Sequence, residues 1–179
     1  MLGGLRLLNR LEQVAETVRA ALDALAVADP AWLRARTPAD WFERYGRRVE
    51  EYRLPQSQAA REALARQVGE DGMRLLAAVF APEAPPALRA LPAVEILRRS
   101  WVQRYLLWEG QVRLLDPKDQ PPAAAQIVSP YDDTARYADK RSVAWVGYRV
   151  HLTETCDDDP PHLVTDVGTR ISQGNLALV

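Results

Sequence analysis

The side chains best suited to catalysis in this sequence are acidic and lie close together near its carboxyl end. Asp157, Asp158 and Asp159 are consecutive, and Glu154 and Asp166 lie on either side of them. Carboxylate oxygens are the ligands that Mg²⁺ and Mn²⁺ prefer, so a small metal-dependent nuclease could use Asp157, Asp159 and Asp166. The alternative is a solvated hairpin turn, since Asp and the neighbouring prolines favour turns for local backbone reasons. A two-metal site gathers its acids from separate elements, which favours the turn and leaves Asp157 as the one candidate catalytic acid.

A second chemistry to consider is nucleophilic catalysis by a thiol. Cys156 is the single cysteine, and the two histidines, His151 and His162, lie near it in the sequence. A nucleophilic cysteine also needs a group that orients the histidine and donors that bind the oxyanion, and no such group is recognisable by spacing. We therefore predict that these three are ordinary strand and strand-end residues. One cysteine also excludes a cysteine-rich zinc site, and two histidines are too few for most structural metal clusters, so no metal ligands are assigned.

A basic segment with aromatic residues precedes and enters the same region. Lys140, Arg141 and Arg149 are its candidate DNA-binding residues, because lysine and arginine bind the phosphate backbone without reading base sequence. The aromatic and basic residues that accompany them are Tyr131, Arg136 and Tyr137, and the acids between them are Asp132, Asp133 and Asp139. These acids could instead neutralise the basic side chains and make the segment an ordinary solvated loop. The residues alone leave both alternatives open.

Two apolar runs flank the acidic residues and predict a β-hairpin. In the run Tyr148–Thr155, residues Arg149–Leu152 alternate between polar and apolar, which is the period of a half-buried strand. The second run is His162–Val167, and the turn between them is Asp157–Pro161. An isolated hairpin is marginally stable in water, so this one needs further strands or a helical layer beneath it.

The residues before this region have the periodicity of helices. One apolar stripe contains Leu8, Leu11, Val14, Val18, Leu22 and Leu25 and ends at Asp29-Pro30, where Asp29 can cap a new helix. Further predicted helices are Gln58–Val68, capped by Ser57 and ended by Gly69, a helix beginning at Asp71, and Ala93–Trp108, ended by Gly110. After them we predict a short strand at Gln111–Leu115, a proline-rich loop at Asp116–Ala125 and a loop at Tyr131–Arg141.

Large aromatic residues recur at helical spacing in this part of the chain. They are Trp32, Trp41, Tyr45, Trp101, Tyr105 and Trp108. Aromatic side chains can stack on nucleic-acid bases, but with leucine and valine neighbours at this spacing they more often belong to a core. We predict that they are core residues.

Length and composition place the protein among ordinary globular chains. A chain of 179 residues can bury a hydrophobic core. The formal charge of −1 carries no overall nucleic-acid signature, so any DNA contact has to be local. The sequence has no apolar run of transmembrane length and no recognisable signal peptide, which predicts a cytoplasmic protein with no membrane partner.

The sequence around the predicted hairpin also resembles a known family. The run SPYDDTARYADKRSVAWVGYRVHLTETCDDDPPHLVTDV is similar to the middle of bacterial insertion-sequence transposases of the DDE, RNase H-like type. The similarity continues upstream in LPAVEILRRSWVQRY (Leu91–Tyr105), WFERYGRRVEEYRLP (Trp41–Pro55) and LNRLEQVAETVRAALDALA (Leu8–Ala26). It covers roughly residues 5–167, and so many linked segments are more specific than a single short motif. The resemblance implies that the hairpin supplies two strands of an RNase H-like sheet.

The same resemblance implies that the catalytic carboxylates of the family have no counterpart in this sequence. In the family the first acid belongs to an Asp-Ser-Thr-His run just before the helix that contains Leu8–Ala26, the second follows the strand that resembles His162–Val167, and the third comes later still. From Gly168 onward the sequence stops resembling the family. The resemblance therefore implies a transposase fragment that is inactive by itself. Mg²⁺ or Mn²⁺ is expected for the intact family only, and transposon-end DNA and a full-length transposase are the expected partners.

These interpretations predict an α+β, mainly α protein. Residues 1–110 form a helical, insertion-like block, residues 111–167 form a loop and the β-hairpin of a partial RNase H-like sheet, and residues 168–179 form a divergent tail. We also expect edge strands with unpaired backbone groups beside the hairpin. The alternative function is a helical protein-interaction module without catalytic activity.

Overall fold

The computed structural model describes residues 9–140, 143–156 and 163–171, and in this part of the chain the protein is α+β and mainly α, as predicted. The helices are α1 (Arg10–Ala28), α2 (Pro30–Arg36), α3 (Asp40–Tyr45), α4 (Gln58–Phe80), α5 (Pro86–Arg89) and α6 (Pro92–Arg104). The strands are β1 (Tyr105–Trp108), β2 (Gln111–Leu114), β3 (Arg136–Lys140), β4 (Val143–Glu154) and β5 (Val164–Ile171). Among the described helices, none combines the length and the apolar character needed to cross a membrane.

Helix α1 begins and ends where local capping chemistry places it. The side chain of Asn9 accepts a hydrogen bond from the backbone N–H of Glu12 at 2.9 Å, and the Glu12 carboxylate accepts one from the Asn9 N–H at 3.0 Å. This reciprocal pair is a capping box. At the other end, Asp29 caps α2, as predicted. The predicted apolar stripe is buried at Leu11, Val14, Val18 and Leu25 and partly buried at Leu22, while Leu8 lies outside the described residues.

A single helix, α4, occupies the region where the sequence predicts two, so the prediction that Gly69 ends a helix is wrong. Gly69 and Gly72 lie inside α4, where aromatic rings rest directly on the helix backbone. A β-carbon on Gly69 would lie 2.5 Å from the ring of Tyr105, and one on Gly72 would overlap the ring of Trp101. These glycines are required by close packing between α4 and the aromatic side chains of α6 and β1.

The predicted helix Ala93–Trp108 is shorter in the structure and is followed by a hairpin. Helix α6 ends at Arg104, and the chain continues directly into β1, which pairs with β2 in antiparallel fashion. Glu109 and Gly110 form the two-residue turn with φ values of 50° and 74°, and a type I′ hairpin requires positive φ at both positions. The prediction that Gly110 ends a helix is therefore wrong, because it is a turn residue. The strand predicted at Gln111–Leu115 is confirmed as β2, one residue shorter.

Strands β3, β4 and β5 form a separate antiparallel sheet in that order. The predicted hairpin is confirmed as β4 and β5, which pair from Tyr148 opposite Ile171 towards the turn. The prediction of a loop at Tyr131–Arg141 is wrong for Arg136–Lys140, because pairing with β4 makes this polar segment a strand. Strand β5 continues through Gly168, so the boundary between residues 167 and 168 falls inside a strand.

The hydrophobic core lies between the helices and the first hairpin. Four of the predicted core aromatics are buried, and they are Trp41, Tyr45, Trp101 and Tyr105. Trp32 is partly buried against this core, whereas Trp108 is 55% exposed beside the β1–β2 turn, so the prediction is wrong for Trp108. The main cluster of buried apolar side chains includes no described residue of β3, β4 or β5. The second sheet therefore lies outside the main core.

Candidate functional site

Two of the three candidate DNA-binding residues lie on the second sheet. Lys140 is the last residue of β3, where its backbone pairs with Val143, and Arg149 lies in the middle of β4. Arg141 lies outside the described residues, and so do the candidate acid Asp157, the rest of the predicted turn Asp157–Pro161 and His162. The surroundings of Arg149 can therefore be described, whereas those of the acidic turn lie outside the described residues.

The register of β4 and β5 places Arg149 directly opposite Arg170. Directly opposed residues share a face of the sheet, and so do residues two positions apart, so His151 and Thr153 follow Arg149 on this face. This register brings two guanidinium-bearing side chains to adjacent positions on one face of the hairpin. Sequence reasoning misses Arg170 because it assigns residues 168–179 to a divergent tail. The alternation of residues 169–171 is the signal that could have extended the strand.

The other face of the hairpin is apolar and exposed. Val150, Leu152, Val164 and Val167 are 57%, 63%, 56% and 61% exposed, respectively. The predicted alternation of polar and apolar residues is confirmed, but the burial of the apolar side chains is not, because no described element covers them. The described part of the hairpin thus has a polar face that carries Arg149, Arg170 and Asp166, and an exposed apolar face.

The acids that precede β3 are committed to contacts within the loop and with α6. Asp132 accepts hydrogen bonds from the backbone N–H of Thr134 at 2.9 Å and from the hydroxyl of Tyr148. Asp133 forms an ion pair with Arg99 of α6. Burial raises the pKa of Asp132, but the hydrogen bonds from Tyr148 and Thr134 outweigh burial and leave the pKa below its usual value. These two carboxylates hold the loop in place.

Two residues expected to accompany the basic segment also make structural contacts. The hydroxyl of Tyr131 donates to Glu16 and accepts from Arg19 at 2.7 Å, which attaches the loop to α1. The guanidinium of Arg136 donates to the carbonyl of Ala124 at 3.0 Å. The predicted basic and aromatic residues therefore do not all share one open surface, and Arg149 is the described member of the predicted DNA-binding set on the β4–β5 hairpin.

The described acidic, histidine and cysteine side chains do not form a cluster. Within the described ranges, no three of them lie close enough together to hold a metal ion. Asp166 is opposite Thr153, while Glu154 belongs to a different cross-strand pair. Cys156 is exposed, and its thiol lies 3.8 Å from the carbonyl oxygen of Glu154.

A second concentration of positive charge lies at the ends of two helices, where sequence reasoning assigned no site. Arg10 begins α1 and donates a hydrogen bond to the carbonyl of Leu115. The N–H of Leu115 in turn donates to the carbonyl of Arg104, the last residue of α6, at 2.7 Å. Arg104 is 2% exposed, and its Nη2 donates to the carbonyl of Ile127 at 2.7 Å. Neither guanidinium forms an ion pair with a described carboxylate.

Burial and the neighbouring charge both disfavour the charged form of Arg104. Burial is the main cause that lowers the pKa of Arg104 to about 10, and the positive charge of Arg10 lowers it further. Because the folded-state pKa lies below the unfolded one, the charge destabilises the fold throughout the physiological pH range. A signal for this residue exists in the sequence: Arg104 follows Val94, Leu97 and Trp101 at helical spacing, so it falls on the buried side of α6.

Two arrangements of basic side chains therefore stand out in the described residues. One is the Arg149–Arg170 pair on the second sheet, and the other is the Arg10–Arg104 pair at the ends of α1 and α6. Both can bind an oxyanion, because guanidinium groups form charge-assisted hydrogen bonds with phosphate and carboxylate. Comparison with models of known protein families, with curated proteins and with solved structures finds no match for this chain.

Proposed function

We propose that this chain is a DNA-contacting, non-catalytic portion of a DDE-type transposase. The sequence resemblance over roughly residues 5–167 supports the family. The opposed pair Arg149 and Arg170 supports contact with the DNA backbone. The catalytic acids implied by the resemblance have no counterpart in the sequence, so metal-dependent cutting and joining of DNA belongs to the intact relative. The expected setting is the cytoplasm, with transposon-end DNA and a full-length transposase as partners.

The observation that carries the DNA contact is the register of Arg149 and Arg170. Directly opposed β-carbons lie about 4.5–5.5 Å apart, so both guanidinium groups can reach one phosphate group. A phosphate between them can accept charge-assisted hydrogen bonds from both guanidinium groups. Because such a contact involves only the backbone, we expect binding that is independent of base sequence and weakens with salt.

Replacing both Arg149 and Arg170 with alanine is expected to weaken the binding of a labelled duplex about tenfold at low salt. Because both arginines contact one phosphate in this arrangement, the double variant loses one phosphate contact, so the slope of log affinity against log salt should become less steep by about 1. Fluorescence anisotropy across a salt series measures both quantities.

The matched control is Arg34→Ala, which removes one exposed arginine from α2. It should leave the duplex affinity and the salt slope nearly unchanged. An equal loss of affinity in the Arg34 variant, or no loss in the folded double variant, would contradict the assignment of DNA binding to the β4–β5 hairpin.

The purified chain is expected neither to cleave nor to join labelled DNA ends in the presence of Mg²⁺ or Mn²⁺. The physical reason is that this chemistry needs carboxylates gathered from several elements around two metal ions. A strand-transfer assay measures the cleavage and joining of the labelled DNA ends, with Asp157→Ala as the control variant. Cleavage that the wild-type chain performs and Asp157→Ala abolishes would replace this proposal with the small nuclease that uses Asp157, Asp159 and Asp166.

One observation favours a second candidate, a helical protein-interaction module without catalytic activity. The main hydrophobic core is formed by the helices and the β1–β2 hairpin and includes no described residue of the second sheet. In this candidate the helical block binds a protein partner and the second sheet plays no part in DNA binding. Retention on DNA at low salt supports the first function, whereas a defined complex on size exclusion without DNA retention supports the second.

A further inference from the structure

Independently of the DNA contact proposed for the second sheet, we propose that the cleft at the beginning of α1 binds the phosphate group of a phosphate ester. Arg10 contacts the phosphate, and Arg104 beside it adds positive charge. The cleft has a volume of about 950 Å³ and is lined by residues of α1, α4, β2 and the loop after β2, together with Tyr137 of β3 and Val146 of β4. Such a volume accommodates a phosphate together with an attached organic group.

The wall of this cleft has an excess of positive charge. Four arginines line it, and they are Arg10, Arg61, Arg66 and Arg113. The acids in the wall are Glu62 and Asp116, and the carboxylate of Glu62 accepts a hydrogen bond from the amide of Gln58 at 2.8 Å. A concave surface lined mainly by one sign of charge focuses the electric field and concentrates counter-ions, so this cleft attracts anions.

Unsatisfied hydrogen-bond donors collect at the same end of α1. The described residues include four buried side-chain nitrogen or oxygen atoms without a hydrogen-bond partner. Two of them, Asn9 Nδ2 and Arg10 Nε, belong to residues that line the cleft, and a third, Arg104 Nε, belongs to the neighbouring Arg104, which lies behind the lining. All three are donors. Buried polar groups normally have a partner, and a group made up only of donors matches a ligand that brings only acceptors. A phosphate is such a ligand.

Within the described part of the chain, Arg10 and Arg104 have no ion-pair partner, in contrast to several other arginines. Arg19 pairs with Glu16 at 2.8 Å, and Arg44 pairs with the buried carboxylate of Asp71. Among the described carboxylates, none lies within ion-pair distance of Arg10 or Arg104. A buried cation without a counter-charge is strongly unfavourable, and a bound anion would supply that counter-charge.

A purely structural role explains only part of this arrangement. Arg10 and Arg104 donate to the carbonyls of Leu115 and Ile127, and these hydrogen bonds hold the loop that follows β2. The neutral amide of Gln13 donates to the same Ile127 carbonyl at 3.2 Å, so this task does not need a charge. The structural role accounts for the hydrogen bonds but not for two neighbouring positive charges.

Phosphate suits the remaining donors for two reasons. The planar guanidinium presents N–H groups in a fork that matches two phosphate oxygens. The 19-residue helix α1 also begins here, and its dipole favours negative charge at this end. The phosphate can belong to a nucleic-acid backbone or to a small phosphate ester, and the cleft chemistry is the same for both.

Titration of the whole chain with inorganic phosphate, at an ionic strength kept constant with chloride, is the direct test. We expect saturable binding by isothermal titration calorimetry and a melting temperature that rises with phosphate concentration. Arg10→Met should weaken the phosphate affinity at least tenfold. Arg34→Met, the same substitution at an exposed position, should leave it unchanged. Arg149→Ala should also leave it unchanged, which separates this site from the DNA contact proposed above.

A labelled oligonucleotide distinguishes the two sources of phosphate. If Arg10→Met weakens oligonucleotide binding together with phosphate binding, the ligand is a backbone phosphate; if it weakens phosphate binding alone, the ligand is a small ester. If Arg10→Met does not fold, Arg10→Lys takes its place. The expected loss of phosphate affinity is then smaller, because lysine keeps the positive charge but lacks the forked N–H groups of the guanidinium. No saturable phosphate binding by the folded wild-type chain, or unchanged affinity in a folded Arg10 variant, overturns the proposal.

Discussion

Replacing Glu16 with alanine is expected to lower the free energy of unfolding by about 3 kcal/mol, because its charged and polar partners would lose their buried counterpart. Glu16 lies on α1 and is 1% exposed. Its carboxylate accepts hydrogen bonds from Arg19 at 2.8 Å, from the backbone N–H of Val49 at 3.1 Å and from the hydroxyl of Tyr131. One carboxylate thus attaches both the segment after α3 and the loop before β3 to α1.

Urea unfolding followed by circular dichroism measures this loss, and the same ion-pair network offers a matched control. Asp23 pairs with the same Arg19, but its side chain is 63% exposed. Asp23→Ala should therefore cost less than about 1 kcal/mol, because solvent screens an exposed pair. Tyr131→Phe removes the hydrogen bond to Glu16 and the one from Arg19, and should cost about 1–2 kcal/mol. Equal losses for Glu16→Ala and Asp23→Ala would show that burial does not set the strength of this contact.

The same carboxylate makes the stability depend on pH on the acid side. Burial raises the pKa of Glu16, but hydrogen bonds from Arg19, Tyr131 and the Val49 N–H outweigh it and leave the pKa below its ordinary value of 4.5. The folded-state pKa is the lower one, so this stabilisation is fully present above pH 4.5 and is lost as the pH falls through the folded-state pKa. Glu16→Gln should therefore lose less stability than the wild type between about pH 6 and pH 3. If the free energies of unfolding of the wild type and of Glu16→Gln fall in parallel as the pH is lowered, this contribution of Glu16 is ruled out.

Replacing Gly72 with alanine is expected to lower the free energy of unfolding by about 2–3 kcal/mol, although alanine is the better helix former. Gly72 is buried inside α4, and a β-carbon there would overlap the six-membered ring of Trp101. This ring cannot move away freely, because Trp101 is 2% exposed and its indole N–H donates to the carbonyl of Gly69 at 3.0 Å. Steric overlap therefore outweighs a gain in helix propensity of about 1 kcal/mol.

A double-mutant cycle with Trp101→Leu checks the cause of this loss. The smaller side chain leaves room for the new methyl group, so Gly72→Ala should cost little in that background. The coupling between the two positions should be about 2 kcal/mol, measured by urea unfolding at an unchanged denaturant slope. If Gly72→Ala instead stabilised the protein, as helix propensity alone predicts, the Trp101 ring would not pack on the backbone of α4.

Local side-chain chemistry was sufficient to predict most of the helical block. The apolar stripe of α1, Asp29 before Pro30 and Ser57 before α4 all act within a few residues of themselves. The predictions based on glycine were wrong, because a glycine in a sequence can indicate a helix end, a turn or close packing. The sequence predicts a helix end at both Gly69 and Gly110. In the structure Gly69 allows the Tyr105 ring to pack on the backbone of α4, and Gly110 is the second residue of a two-residue turn.

The sequence by itself determined the α+β class, the end of α1 and the existence of the β4–β5 hairpin, because capping and periodicity depend on neighbours along the chain. Only the tertiary structure decided which basic side chains come together. Strand register places Arg170 opposite Arg149, and the packing of α1 against α6 brings Arg10 to Arg104. Both pairings join residues far apart in the sequence. They are set by how whole elements pair and pack, which no local pattern of residues specifies.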